Sequence, residues 1–149
     1  MLQIAKIGFL LLLAVAAFFA ARHWQPGGSS FLTPAGVEPC HLENGTCTLQ
    51  VDGQRVMFAI EPPGIPLMQT LALTVLVSGD EPADVTVEIV GLNMEMGLNR
   101  TRLDLAPDGN WRGETILPIC SQRMMEWEAR VLLDGRQSWS LPFRFETRR

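Results

Sequence analysis

The chain has 149 residues, 47% apolar and 19% charged, with 12 basic side chains, 16 acidic ones and two histidines. The apolar fraction is ordinary for a globular protein and argues against disorder. Lys6 and Arg22 are the only ionised side chains before residue 23, so residues 23–149 carry 10 basic and 16 acidic groups, a balance of −6. An acidic body without a basic block is a poor nucleic-acid binder, and no nucleic-acid partner is expected. His23 and His41 cannot build a His-rich zinc centre, and nothing near His41 resembles a nucleophile elbow. The common hydrolytic chemistries are thus disfavoured, and the chain reads as a non-enzyme.

The first element in chain order is an apolar run, IGFLLLLAVAAFFAA, from Ile7 to Ala21. Extended back to Leu2 it reaches about 20 residues, enough for one membrane span if Lys6 snorkels. Lys6 precedes the run, and after Arg22 no Lys or Arg occurs until Arg55. That asymmetry favours an N-terminus inside and a C-terminal domain outside. A cleaved signal peptide is the alternative, but Phe18 and Phe19 stand where a protease wants small residues. Both readings put the domain in the bacterial periplasm or another extracytoplasmic space. The expected organisation is a transmembrane anchor over 1–23, a Gly/Ser/Pro-rich tether over 24–39 and one domain over 40–149.

The domain reads as a succession of short strands. Residues 46–51 alternate polar and apolar, Asp52-Gly53 follows, and 54–60 continues the pattern, which is a strong hairpin signal. Glu61-Pro-Pro-Gly-Ile-Pro66 cannot continue a ladder and reads as a loop. Further runs cover 71–77, 84–90, 101–105, 111–117, 126–133 and 138–145, separated by Gly-, Asp- and Pro-containing turns. About eight strands without a soluble helix predict an all-β fold, an immunoglobulin-like β-sandwich preceded by one N-terminal transmembrane helix. Trp111, Trp127 and Trp139 are expected in the core or at its rim.

Three cysteines occur, at 40, 47 and 120. In an oxidising compartment a local Cys40–Cys47 disulfide is the preferred pairing, with Asn44-Gly45 making the turn; Cys120 paired with either of the others is the alternative. Two methionine pairs stand out. Asn93-Met94-Glu95-Met96-Gly97 puts two thioethers two residues apart, and Cys120-Ser-Gln-Arg-Met124-Met125 puts a thiol four residues before a second pair. Soft sulfur donors select Cu(I) over hard cations. Met94, Met96, Cys120, Met124 and Met125 are therefore candidate metal ligands, provided that the two segments lie at one end of the body. The competing reading makes them core fillers.

The segments Val90-Gly-Leu-Asn-Met-Glu-Met-Gly97, Asp108-Gly-Asn-Trp-Arg-Gly113, Leu117-Pro-Ile-Cys120 and Met125-Glu-Trp-Glu-Ala-Arg-Val131 resemble the YtkA-like and FixH-like envelope domains. The resemblance covers about residues 70–145 and rests on Met94, Met96, Trp111, Cys120, Met125 and Trp127. It implies an immunoglobulin-like sandwich on a single-pass anchor in the bacterial inner membrane, with the domain in the periplasm. It further implies copper handling, or assembly of respiratory haem–copper oxidases. Only six residues precede the apolar run here, shorter than the FixH lead, and the Cys40–Cys47 pair is not a feature of the family.

Two functions are thus expected to compete. One is a membrane-anchored accessory protein that binds Cu(I) through sulfur and serves a metalloenzyme. The other is a metal-free interaction module with a membrane or periplasmic protein partner. A thiol–disulfide enzyme is disfavoured, because no Cys-x-x-Cys motif is present.

Overall fold

The computed structural model describes residues 15, 30–42 and 45–149. The expected anchor, apart from Val15, and residues 24–29 of the expected tether lie outside the described residues. The described chain is all-β. Its strands are β1 (Cys40–His41), β2 (Thr46–Val51), β3 (Gln54–Glu61), β4 (Thr70–Ser78), β5 (Asp84–Gly91), β6 (Asn99–Leu105), β7 (Trp111–Ile116), β8 (Met124–Asp134) and β9 (Trp139–Arg148).

Period-two burial explains most of these elements. In β3 Val56, Phe58 and Ile60 are buried while Arg55 and Glu61 are exposed. In β5 Val85, Val87 and Ile89 face the core. Between β2 and β3, Asp52 and Gly53 both take positive φ, 49° and 75°, with Val51 opposite Gln54. This is the type I′ hairpin that the Asp-Gly pair favours.

The strands form one sheet in the order β1-β9-β8-β5-β6-β7-β4-β3-β2, nearly closed into a barrel. β6 turns the corner. Its first part pairs with β5, through Ile89 opposite Asn99, and its last residues pair with β7, through Leu105 opposite Trp111. Two layers result, and their inner faces meet in the core, where the rings of Phe58 (β3) and Phe143 (β9) lie 5.2 Å apart. Trp127 is buried against Phe145 and donates its Nε1–H to Thr147 Oγ1 at 2.9 Å, which satisfies the indole. Trp111 is also buried and Trp139 is half-buried at the rim.

β1 and β2 are the two ends of the strand order. The Cys40–Cys47 disulfide joins them with a Cα–Cα distance of 6.0 Å, so the expected local pairing forms and staples the seam of the barrel.

β6 starts at Asn99 and β9 runs to Arg148, both beyond the runs read in the sequence, and three further details differ. β1 is a ninth strand; two residues are too short to show alternation, and it forms by parallel pairing of Cys40 with Phe143. β8 begins at Met124 rather than Glu126, so Met124 and Met125 belong to a strand and point to opposite faces. The chain at Leu32 is also fixed, its N–H donating to Ser138 O and its carbonyl accepting from Ser140 N, both at 2.9 Å.

Strand polarity gives the body two poles. The connections that follow β1, β3, β5 and β7 lie at one pole, with the C-terminal end of β9. Those that follow β2, β4, β6 and β8 lie at the other, the hairpin pole, where Leu32 meets the start of β9.

Candidate functional site

The methionine motif lies in the connection between β5 and β6, and Cys120 in the connection between β7 and β8. Both connections are at the same pole. Asn93 docks the first onto the start of β8: its Nδ2 donates to Met124 O at 3.1 Å, and its Oδ1 accepts from Glu126 N–H at 3.2 Å. The Leu92 N–H adds a bond to Glu126 O at 2.8 Å. With residue 93 held, the chain turns at once. Gly97, at φ 74°, donates its N–H to the Glu95 carboxylate at 3.1 Å and leads into β6. The next side chain after the Asn93 dock is Met94.

Met94 Sδ lies 2.7 Å from Cys120 Sγ. Cys120 is the free cysteine of the described chain and is 5% exposed, whereas Met94 is 37% exposed. Gln122 N–H points at Cys120 Sγ at 3.4 Å, and Ser121 Oγ lies 4.0 Å from Met94 Sδ. The thiol therefore sits inside the pole, covered by a thioether that solvent can reach.

Gly91 makes room for this arrangement. It ends β5 opposite Trp127. A methyl group there would overlap the Met94 carbonyl oxygen and come within 3.1 Å of Met125 Cε and 3.2 Å of Met96 Cγ. Met94, Met96 and Met125 thus all crowd one backbone position, with Cys120 against the first of them. Met125 is 2% exposed and belongs to the core, and Met96 is half-buried against it. Met124 differs: it stands on the outward face of β8. The sequence candidates therefore divide into the Met94–Cys120 sulfur pair, Met96 and Met125 with side chains near Gly91, and an outward Met124.

Gly91 and Asn93 are the site residues that pattern reading leaves unassigned. Both flank the methionine motif, but neither carries a soft donor. Among the described residues, no three His, Cys, Asp or Glu side chains gather as a metal site. The chemistry of this pole is that of sulfur.

Exposed apolar side chains share this pole. Leu92, Leu98, Ile116 and Ile119 are 42%, 67%, 52% and 53% exposed, and Met68 is 60% exposed. All lie at the sulfur pole; Met68 is brought there by its N–H bond to Leu117 O at 2.9 Å. At the hairpin pole Asp52, Asp80, Glu81 and Arg136 line a polar depression instead.

No family model, curated protein or solved structure matches the chain.

Proposed function

We propose that the chain is a membrane-anchored, extracytoplasmic accessory protein that holds Cu(I) through Met94 and Cys120 and delivers it to a metalloenzyme such as a respiratory oxidase. The observation that carries this reading is the 2.7 Å approach of those two sulfurs from connections 26 residues apart. Thiolate and thioether are the donors that Cu(I) prefers over hard cations. The half-buried Met96 and the buried Met125 reach the same backbone position, Gly91, that the Met94 carbonyl approaches.

Two sulfurs on one ion, with bonds near 2.3 Å, sit roughly 3.8–4.6 Å apart between tetrahedral and linear geometry. An ion shared by Met94 and Cys120 would hold the two sulfurs at about that spacing. Met94 is the partner able to yield, because its connection is exposed while Cys120 is enclosed. Cys120 would bind such an ion as the thiolate, giving its proton to solvent. Met94, the more exposed of the two, is the donor that an incoming ligand would meet first. In this reading the body is an immunoglobulin-like sandwich. The pairings β4–β7 and β5–β8 support it, because they set β4 and β7 in one layer and β5, β8 and β9 in the other, as in the Greek key of that fold. The apolar run at 7–21 supports an anchor and hence the compartment.

The second reading is a metal-free interaction module, favoured by the exposed apolar side chains at the same pole. Titration of the detergent-solubilised full chain with Cu(I) against a chelator of known affinity separates the two. Ascorbate keeps the copper reduced and leaves the Cys40–Cys47 disulfide intact, so its thiols do not compete. One tight equivalent that is lost in Cys120→Ser is expected. No uptake by the wild type would leave the interaction module.

A further inference from the structure

The sulfur pole and the point where the tether joins the body are at opposite ends. Leu32 is bonded to Ser138 and Ser140 at the hairpin pole, and β9 runs from there through ten residues to Arg148 at the sulfur pole. At about 3.3 Å per residue that strand spans roughly 33 Å. The step from Ala21, where the apolar run ends, to Leu32 is eleven residues. Flexible chains of that length have a typical reach of about 18 Å. If residues 7–21 lie in a bilayer, the hairpin pole stands next to it. The sulfur pole then stands a full strand length further out, and only a taut tether running the whole length of the body would bring it down to the lipid.

This placement decides what covers the apolar side chains around Met94. Exposed apolar groups gathered at one place mark a contact with a membrane or with a protein. With residues 7–21 in a bilayer, the membrane lies at the other pole. Two copies anchored in one bilayer turn their sulfur poles the same way, so the ends of the two bodies do not face each other. We infer that Leu92, Leu98, Ile116 and Ile119 form a collar that docks an extracytoplasmic domain of a different protein. That domain approaches from the side away from the membrane and presents its own Met, Cys or His donors to Met94. The inference rests on the copper reading and the anchor for the partner's chemistry, and on the geometry of the poles for its place. Apolar contact around the exchanging thioether would also exclude water and oxidant from Cys120 during transfer.

The test uses the full chain in its native host, with the photo-crosslinking residue p-benzoylphenylalanine in place of Leu98, or of Arg136 at the hairpin pole. The expected result is a protein adduct from position 98 but not from 136. Mass spectrometry should place its cross-linked peptide beside Met, Cys or His residues in an extracytoplasmic domain. Ile116→Asp, beside Leu98, should lower the yield at least about fivefold, as loss of an interface anchor does. It should leave the Cu(I) affinity of the purified full chain unchanged. Adducts from position 98 to lipid or to a second copy would overturn the inference. So would the absence of a protein adduct, or a yield that Ile116→Asp leaves intact. If the adduct persists but the wild type binds no Cu(I), the copper reading fails and the docking surface stands.

Discussion

Met94 and Cys120 bring a thioether and a thiol to within 2.7 Å of each other, the first 37% exposed and the second 5%. The pairing of β5 with β8 creates this contact, because it sets the end of one strand beside the start of the other, and Asn93 fastens the loop between them. An enclosed donor behind an accessible one suits an ion that is bound firmly and released by exchange.

Removing either sulfur should therefore weaken Cu(I) binding. Cys120→Ser should cost more than Met94→Leu, since it replaces the anionic donor. Losses of at least about tenfold, or 1.4 kcal/mol, are expected for both. Met124→Leu should leave the affinity within about twofold, because that side chain faces outward on β8. Competition titration of the three variants checks the ranking.

Gly91→Ala should damage both the fold and the site. The added methyl meets the Met94 carbonyl oxygen, Met125 Cε and Met96 Cγ at once. Overpacking of this kind costs about 1–3 kcal/mol, read as a lower denaturant midpoint. The Met94 backbone must move to relieve the overlap, so Cu(I) affinity should fall as well.

Much of this architecture is legible in the sequence, for a physical reason: eight strands alternate over five or more residues, and Asp52-Gly53 dictates its own turn. β1 is not legible, because Cys40 and His41 become a strand only by pairing with Phe143 and Arg144 more than a hundred residues away. The inward face of Met125 follows from carrying the alternation of Trp127, Ala129 and Val131 back by two residues. The meeting of Met94 with Cys120 depends on which strands neighbour β5, and local periodicity carries no such information. Gly91 escapes for a similar reason: its role is a close approach, seen only when the three methionines are in place.

The disulfide should matter because it joins the two ends of the sheet. Replacing both Cys40 and Cys47 by Ser should lower stability by about 2.5 kcal/mol, the chain-entropy value for a loop of roughly eight residues. A thiol assay on unreduced, denatured protein should find one thiol, from Cys120. Three thiols would remove the staple from the account.

Thr147→Val should leave the Trp127 indole N–H buried without its acceptor at 2.9 Å. A cost of about 1–3 kcal/mol is expected from chemical unfolding followed by tryptophan fluorescence.

At the hairpin pole, the Asn110 backbone N–H and then Arg112 hold the Asp108 carboxyl below its ordinary value of 3.8. A depressed carboxylate stabilises the fold above its unfolded value, and the contribution disappears as the pH falls through the lowered one. An NMR titration should place Asp108 below 3.8, and Arg112→Gln should raise it without restoring the full ordinary value.

X-ray absorption at the copper edge of the Cu(I)-loaded full chain tests the central claim most directly. The account predicts an inner shell of sulfur alone near about 2.3 Å, thinned by one sulfur in Met94→Leu. An inner shell of nitrogen or oxygen near about 2.0 Å, or one that Met94→Leu and Cys120→Ser leave unaltered, would contradict it.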